Sequence, residues 1–128
     1  MPYLLDTHAF LWFASDDVNL SKTAKDIIED NVNDIYLSSA SVWELSIKIG
    51  LGKLKLKKDL DQFIAENIIQ YGFIPISINI PHTIEISKLP EIHKDPFDRI
   101  LVAQSIVENV AIITSDKFIN RYDVKTVW

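Results

Sequence analysis

The chain has 128 residues, 48% of them hydrophobic, no cysteine, and a formal net charge of −5 from 18 acids against 13 bases. That length suits one domain with its own core, so residues 1–128 are expected to form a single domain. The missing cysteines exclude a disulfide framework or thiolate site, no apolar run approaches the 18 residues of a membrane helix, and without a basic leader the expected location is cytoplasmic. The acidic balance by itself argues mildly against a phosphate-binding surface.

Residues 2–5 predict a first strand, and the apolar run continues through Ala9–Phe13, interrupted only by Asp6 and its polar neighbours. "LSKTAKDIIED" predicts a helix with Ser21 as N-cap and Ala24, Ile27 and Ile28 on one face. "DIYLSS" (34–39) is a second strand, and "SVWELSIKIG" a helix closing near Gly50. Alternating Lys and Leu over 53–57 suggest an extended connector or short edge strand. "DLDQFIAENIIQYG" is an amphipathic helix in which Asp59 and Gln62 have capping-box spacing. "FIPISI" (73–78) is a third strand, and "PHTIEISKL" a short helix. "DPFDRILVAQSIVEN" is the clearest helix, with Asp95 as N-cap and Pro96 in its first position. "VAIIT" (110–114) reads as a buried parallel strand, "SDKFINRY" as a turn or short helix, and "VKTVW" as a last strand. Strands alternating with helices predict a mostly parallel sheet covered on both faces, with the site beyond the C-terminal strand ends.

Four acids fall at those ends. Asp6 follows strand one, Glu44 follows strand two in the first turn of the next helix, Asp98 lies in the first turn of the "DPFDR" helix, and Asp116 follows strand four. Each has a plain structural reading, because helix starts favour acids. Asp6 and Asp116 are candidate caps, Ser41 and Glu44 have S-x-x-E capping-box spacing, and Asp98 sits at N3 after Asp95. Jointly they pose a harder problem. A like-charged pair at about 4 Å costs on the order of 4 kcal/mol at an effective dielectric near 20, and a helix N-terminus returns only about 0.3–1 kcal/mol. Either some carboxyls stay protonated or a hard cation held by oxygens, Mg²⁺ or Mn²⁺, balances them. His8, His82 and His93 are scattered and offer no zinc-type set; His8 and His93 each sit near an acid, which leaves support of that acid as an alternative, but a solvated or capping role is expected.

Setting the four acids aside leaves 14 acids against 13 bases, so the acidic excess no longer speaks against a nucleic-acid substrate. Lys53, Lys55, Lys57 and Lys58 read as a solvated edge, with a basic rim as the sharper alternative. A carboxylate cage around one or two divalent ions suits phosphodiester hydrolysis. Thr7 and Thr114, beside the acids, are candidate supports, as is Asp95. There is no Gly-rich phosphate loop and no activated Ser or Cys motif.

Together "LLDTHAFLW", "SSASVWELSIK", "HKDPFDRILVAQS" and "IITSD" resemble the PIN-domain ribonucleases, more narrowly the VapC-type toxins of type II toxin–antitoxin systems, over essentially the whole chain. The resemblance implies a three-layer α/β/α sandwich around a central parallel sheet, and Mg²⁺- or Mn²⁺-dependent endoribonuclease activity. It carries the family's catalytic, metal-binding acids onto Asp6, Glu44, Asp98 and Asp116. It also implies an RNA substrate, a small antitoxin partner, a homodimer, and contact with operator DNA only through the antitoxin complex. Rival readings are a PIN nuclease of RNA processing that is no toxin, and a non-catalytic metal-binding or regulatory module. A dehalogenase-type phosphatase would need a second Asp where His8 stands, and a receiver domain would need an acidic pair after strand one.

Overall fold

The computed structural model describes residues 1–128. In chain order the elements are β1 (Pro2–Leu5), α1 (Thr7–Ala14), α2 (Lys22–Glu29), β2 (Asp34–Ser38), α3 (Ser39–Gly50), α4 (Leu60–Tyr71), β3 (Ile74–Ile76), α5 (Ile80–Ile86), α6 (Pro96–Glu108), β4 (Ala111–Ile113) and β5 (Thr126–Val127), with a 3-10 turn at Ile119–Arg121 before β5. No helix is long and apolar enough to cross a membrane. The strands form one sheet in the order β3-β2-β1-β4-β5, and all four pairings are parallel.

Alternation along the strands builds the three layers. Leu5, Ile35, Leu37 and Ile113 face one side and pack with Ala9, Phe10 and Phe13 of α1, Ala24 and Ile28 of α2, and Phe73, with α4 covering them. Leu4 and Ile112 face the other side, against Ile100, Leu101 and Val102 of α6 and Ile119, with Tyr36, Ile76 and Ile86 beside them. Helix α3 contributes to both clusters, through Leu45 and Ala40. From β1 the chain moves outward one way to β2 and β3, then returns to place β4 on the other flank of β1. The order therefore reverses at β1/β4, and the C-terminal ends there open the crevice in which such sheets hold ligands.

Local signals account for most element starts. Ser21 caps α2 by accepting from Ala24 N at 3.0 Å. Asp95 caps α6, its Oδ1 accepting from Phe97 N at 2.8 Å and Asp98 N at 3.3 Å, and Pro96 fills the first position. Asp95→Ala should cost about 1 kcal/mol by losing that cap, whereas Asp95→Asn, which keeps an accepting oxygen, should cost only a few tenths. Denaturant midpoints separate the two; equal losses would assign the effect to charge instead.

Of the two forms expected for residues 53–57, the connector stands: they form no strand, and Leu54 tucks against the core while the lysines stay exposed. Three expectations are corrected. Asp59 makes no side-chain cap bond; Gln62 donates to Glu66 Oε1 at 3.1 Å instead. Ser38 caps α3, its Oγ accepting from Ala40 N at 3.0 Å. The helix thus begins at Ser39, Ser41 is already inside it, and Glu44 lies in the second turn, outside any capping box. The third strand is also shorter than expected, and Pro75, which has no N–H to donate, sits in it at the sheet edge.

Candidate functional site

Asp6 ends β1 and caps α1, its Oδ1 accepting from Ala9 N at 2.6 Å. Its Oδ2 accepts from the Thr114 hydroxyl. Thr114 Oγ1 in turn accepts from Asp116 N at 3.0 Å, so one hydroxyl joins the acid after β1 to the acid after β4 on the neighbouring strand. Asp116 Oδ1 accepts from Phe118 N at 2.8 Å and Ile119 N at 3.0 Å, which makes the cap reading correct for this oxygen. On α6, Asp98 sits at N3, and its Oδ2 is 2.9 Å from His93 Nε2. The ligand atoms of His93, Asp98 and Asp116 all lie within 4.8 Å of one another.

Glu44 lies on α3, outside the group formed by His93, Asp98 and Asp116. It is buried and its Oε2 pairs with Lys48 Nζ, one turn on, at 3.1 Å. Its Oε1 is buried with no hydrogen-bond partner. Two contacts tie the start of α3 to the other acids. Thr7 Oγ1 donates to Ser41 Oγ at 3.0 Å, next to Asp6. Trp43 meets Phe97 edge to face at 4.9 Å, between the neighbours of Glu44 and Asp98.

The electrostatics are those of crowded anions. Burial pushes the Asp6 carboxyl above its ordinary value, and the Asp116 charge adds to this, against the opposing bonds from Thr114 and Ala9 and the charge of His8. Asp98 is pushed up to about 7, first by burial and then by Asp95 and Asp116, against the pull of His93. For an acid whose folded pKa exceeds its unfolded one, the folded state binds the extra proton between the two values. Stability therefore falls as pH rises through that window. For Asp98 the window runs from the ordinary 3.8 to about 7. The melting temperature of metal-free protein should rise as pH is lowered from 7.5 toward 5, and Asp98→Asn should flatten that rise and melt about 3–5 °C higher at pH 7.5. An unchanged slope in Asp98→Asn would exclude Asp98 as its source.

Asp6 has both carboxylate oxygens engaged by the protein, whereas each of the other three acids has one engaged. Glu44 Oε1, Asp98 Oδ1 and Asp116 Oδ2 have no protein partner. The residues fit a hard divalent cation: the donors are carboxylate oxygens, one of them is buried and orphaned, and the one ammonium paired with these four acids is Lys48, on Glu44. His93 departs from the expected solvated role, because its ring is bonded to Asp98 and stacked on Phe118 at 4.6 Å. His8 is exposed and packs on Trp12, and His82 is buried, its Nδ1 accepting from Asn79 N at the start of α5. Lys48 was also missed. Its i,i+4 spacing from Glu44 was the available signal, and for His93 it was the closeness to Asp98 in "HKDPFD".

A family model described as the PIN domain matches residues 3–125. Ribonuclease VapC16 of Mycobacterium tuberculosis is 34% identical over 70 residues, 55% of this chain and 48% of that protein, so the match spans about half of that relative's length. Among solved structures, VapBC2 from Rickettsia felis bound to a DNA fragment from its promoter has a TM-score of 0.74 at 18% identity, covering 100% of this chain and 99% of that one. DNA-bound VapBC from Salmonella typhimurium has a TM-score of 0.69 at 11% identity, covering 99% and 97%. FitAcB from Neisseria gonorrhoeae has a TM-score of 0.65 at 18% identity, covering 98% and 96%. At these identities the likeness is one of fold.

Proposed function

Because the chain belongs to the PIN domain family, we propose that it is a Mg²⁺- or Mn²⁺-dependent endoribonuclease acting in the cytoplasm as the toxin of a toxin–antitoxin pair. Asp6, Glu44, Asp98 and Asp116 are its catalytic and metal-holding residues. The observation that carries this reading is the gathering of Asp6, Asp98 and Asp116 at the β1/β4 switch point, with one oxygen each of Asp98, Asp116 and the α3 residue Glu44 left without a protein partner. When bound, a divalent cation there supplies a Lewis acid that polarises a phosphoryl oxygen and lowers the pKa of water, and one or two ions suit the donor set.

The chain's own residues do the positioning. Asp6 is held rigidly by the core strand behind it, by the α1 amide and by Thr114. Asp116 is aimed by two backbone amides and by Thr114, which spans both acids. Asp98 is fixed by the first turn of α6, which Asp95 caps, and Glu44 is steadied through Lys48. These supports spare the carboxylates the reorganisation that would otherwise accompany charge change at the phosphate.

The likeness to Ribonuclease VapC16 supports RNA as substrate and the toxin role. The shared fold of the VapBC and FitAcB assemblies supports a small antitoxin partner, with operator DNA met only through that complex; a homodimer is part of the same proposal. Exposed Ile80 and Ile84 on α5 and Ile106 and Val107 on α6 supply apolar surface of the kind partner proteins cover.

Purified protein should cut single-stranded RNA in Mn²⁺ or Mg²⁺ and stop on chelation. Cleavage persisting at full rate in excess EDTA would rule out the metal mechanism. Expression should arrest growth, and Asp6→Ala should relieve it. Normal growth with folded, RNA-cleaving protein would favour the rival role in RNA processing. Metal binding without cleavage would favour a non-catalytic module.

A further inference from the structure

The proposed cage consists of oxygen donors, yet the tightest group of ligand atoms includes a nitrogen: His93 Nε2, within 4.8 Å of both the Asp98 and Asp116 ligand atoms. This imidazole is built into position. His93 N donates to Tyr122 OH at 3.0 Å, and His93 O accepts from Arg99 Nη1 at 3.4 Å. Arg99 also binds Pro90 O at 3.0 Å, Ile86 O at 3.2 Å and Tyr122 OH at 3.2 Å, closing the loop that carries the histidine. The ring lies stacked on Phe118, with planes 24° apart. Separately, the buried Oε1 of Glu44 has no hydrogen-bond partner, on the helix whose Trp43 packs against Phe97 of α6; its other oxygen pairs with Lys48.

We infer that His93 is a further ligand of the cation, through Nε2, and that it biases the site toward Mn²⁺ over Mg²⁺. The inference rests on the metal-site reading above. An imidazole nitrogen suits transition metals, whereas Mg²⁺ prefers oxygen ligands and keeps its waters. Ligation uses the Nε2 lone pair, so the ring proton sits on Nδ1 in the bound form. Two contacts are given up: the 2.9 Å bond between Nε2 and Asp98 Oδ2, replaced by both atoms holding the same cation, and the contact from Asp95 N to Nδ1, which at 3.5 Å is weak.

The test uses the whole protein and Mn²⁺ alone. Binding is followed by loss of the free-ion electron paramagnetic resonance signal, and the ligand atoms by electron spin echo modulation. Directly coupled nitrogen is expected in the wild type, retained in His8→Gln and lost in His93→Gln, which can still donate to Asp98. His93→Gln should weaken Mn²⁺ binding roughly tenfold or more, and Mg²⁺ binding by less than about twofold. Mn²⁺ that binds, is lost in Asp98→Asn, and shows no nitrogen coupling in the wild type would overturn this inference and leave the metal site standing: His93 would then only orient Asp98. Coupling that persists in His93→Gln overturns it equally. No Mn²⁺ binding at all would overturn both.

Discussion

Asp6→Asn is expected to lower metal-dependent RNA cleavage by about 10³-fold or more, while leaving the metal-free fold at least as stable as before. Asn is isosteric and an equally good N-cap, so its oxygen keeps the bond from Ala9 N that starts α1. What it loses is the charge and the oxygen that accepts from the Thr114 hydroxyl, whose place an NH₂ donor takes. Asp6 is only 5% exposed, and burial raises its pKa, so the carboxylate is a group the fold holds at a cost when no cation is present. Removing that cost should hold or raise the melting temperature at neutral pH, and removing the anion should empty the site of its most rigid ligand. Stability and activity then move in opposite directions, the signature of a functional rather than a structural acid. Parallel melts and cleavage assays on one preparation decide the matter: activity within tenfold of wild type would remove Asp6 from the proposed machinery, and a collapsed melting temperature would make it a structural cap alone.

Phe10→Ala should produce the largest loss of stability, about 3–5 kcal/mol. Phe10 is fully buried, edge-on to Phe63 of α4 at 5.7 Å and to Phe73 before β3 at 6.0 Å. It is the ring through which α1 is seated on one face of the sheet, and its amide bonds Asp6 O at 3.1 Å. Truncation opens a cavity between three elements that cannot all close on it. Against a typical total of about 5–15 kcal/mol, the loss is a large fraction, equivalent to a fall in melting temperature of roughly 10–20 °C. Urea denaturation measures it, and a shift below about 1 kcal/mol would mean the site relaxes to fill the space. Phe10→Leu should recover most of the loss.

Much of the frame was legible because its causes are local. A cap acts over two or three residues, and alternation acts over two. Ser21, Asp95 and Pro96 therefore announced their helices, and Leu4/Leu5 and Ile112/Ile113 their strands. Where a stronger neighbour competed, the local reading failed. Ser38 won the start of α3 from Ser41, so Glu44 became a second-turn residue paired with Lys48. The lysine-leucine alternation at 53–57 left a connector and an edge strand open, and the fold took the connector.

By itself, the sequence determined that strands alternate with helices, that acids stand at the strand ends, and that their charge requires an answer. The strand order, which decided that the ends of β1 and β4 are neighbours, lay outside it, as did the Thr114 hydroxyl shared by Asp6 and Asp116. So did the place of His93 beside Asp98 and Asp116, set by Arg99 and Tyr122 gripping main-chain groups of a loop. Some of those features are bonds over long separations, 108 positions for Thr114 with Asp6 and 29 for Tyr122 with His93; others span only 6 to 13 positions from Arg99, across a loop without regular structure. Their geometry exists only once the helices have closed on the sheet, because no propensity or periodicity encodes which backbone carbonyl a distant guanidinium will reach.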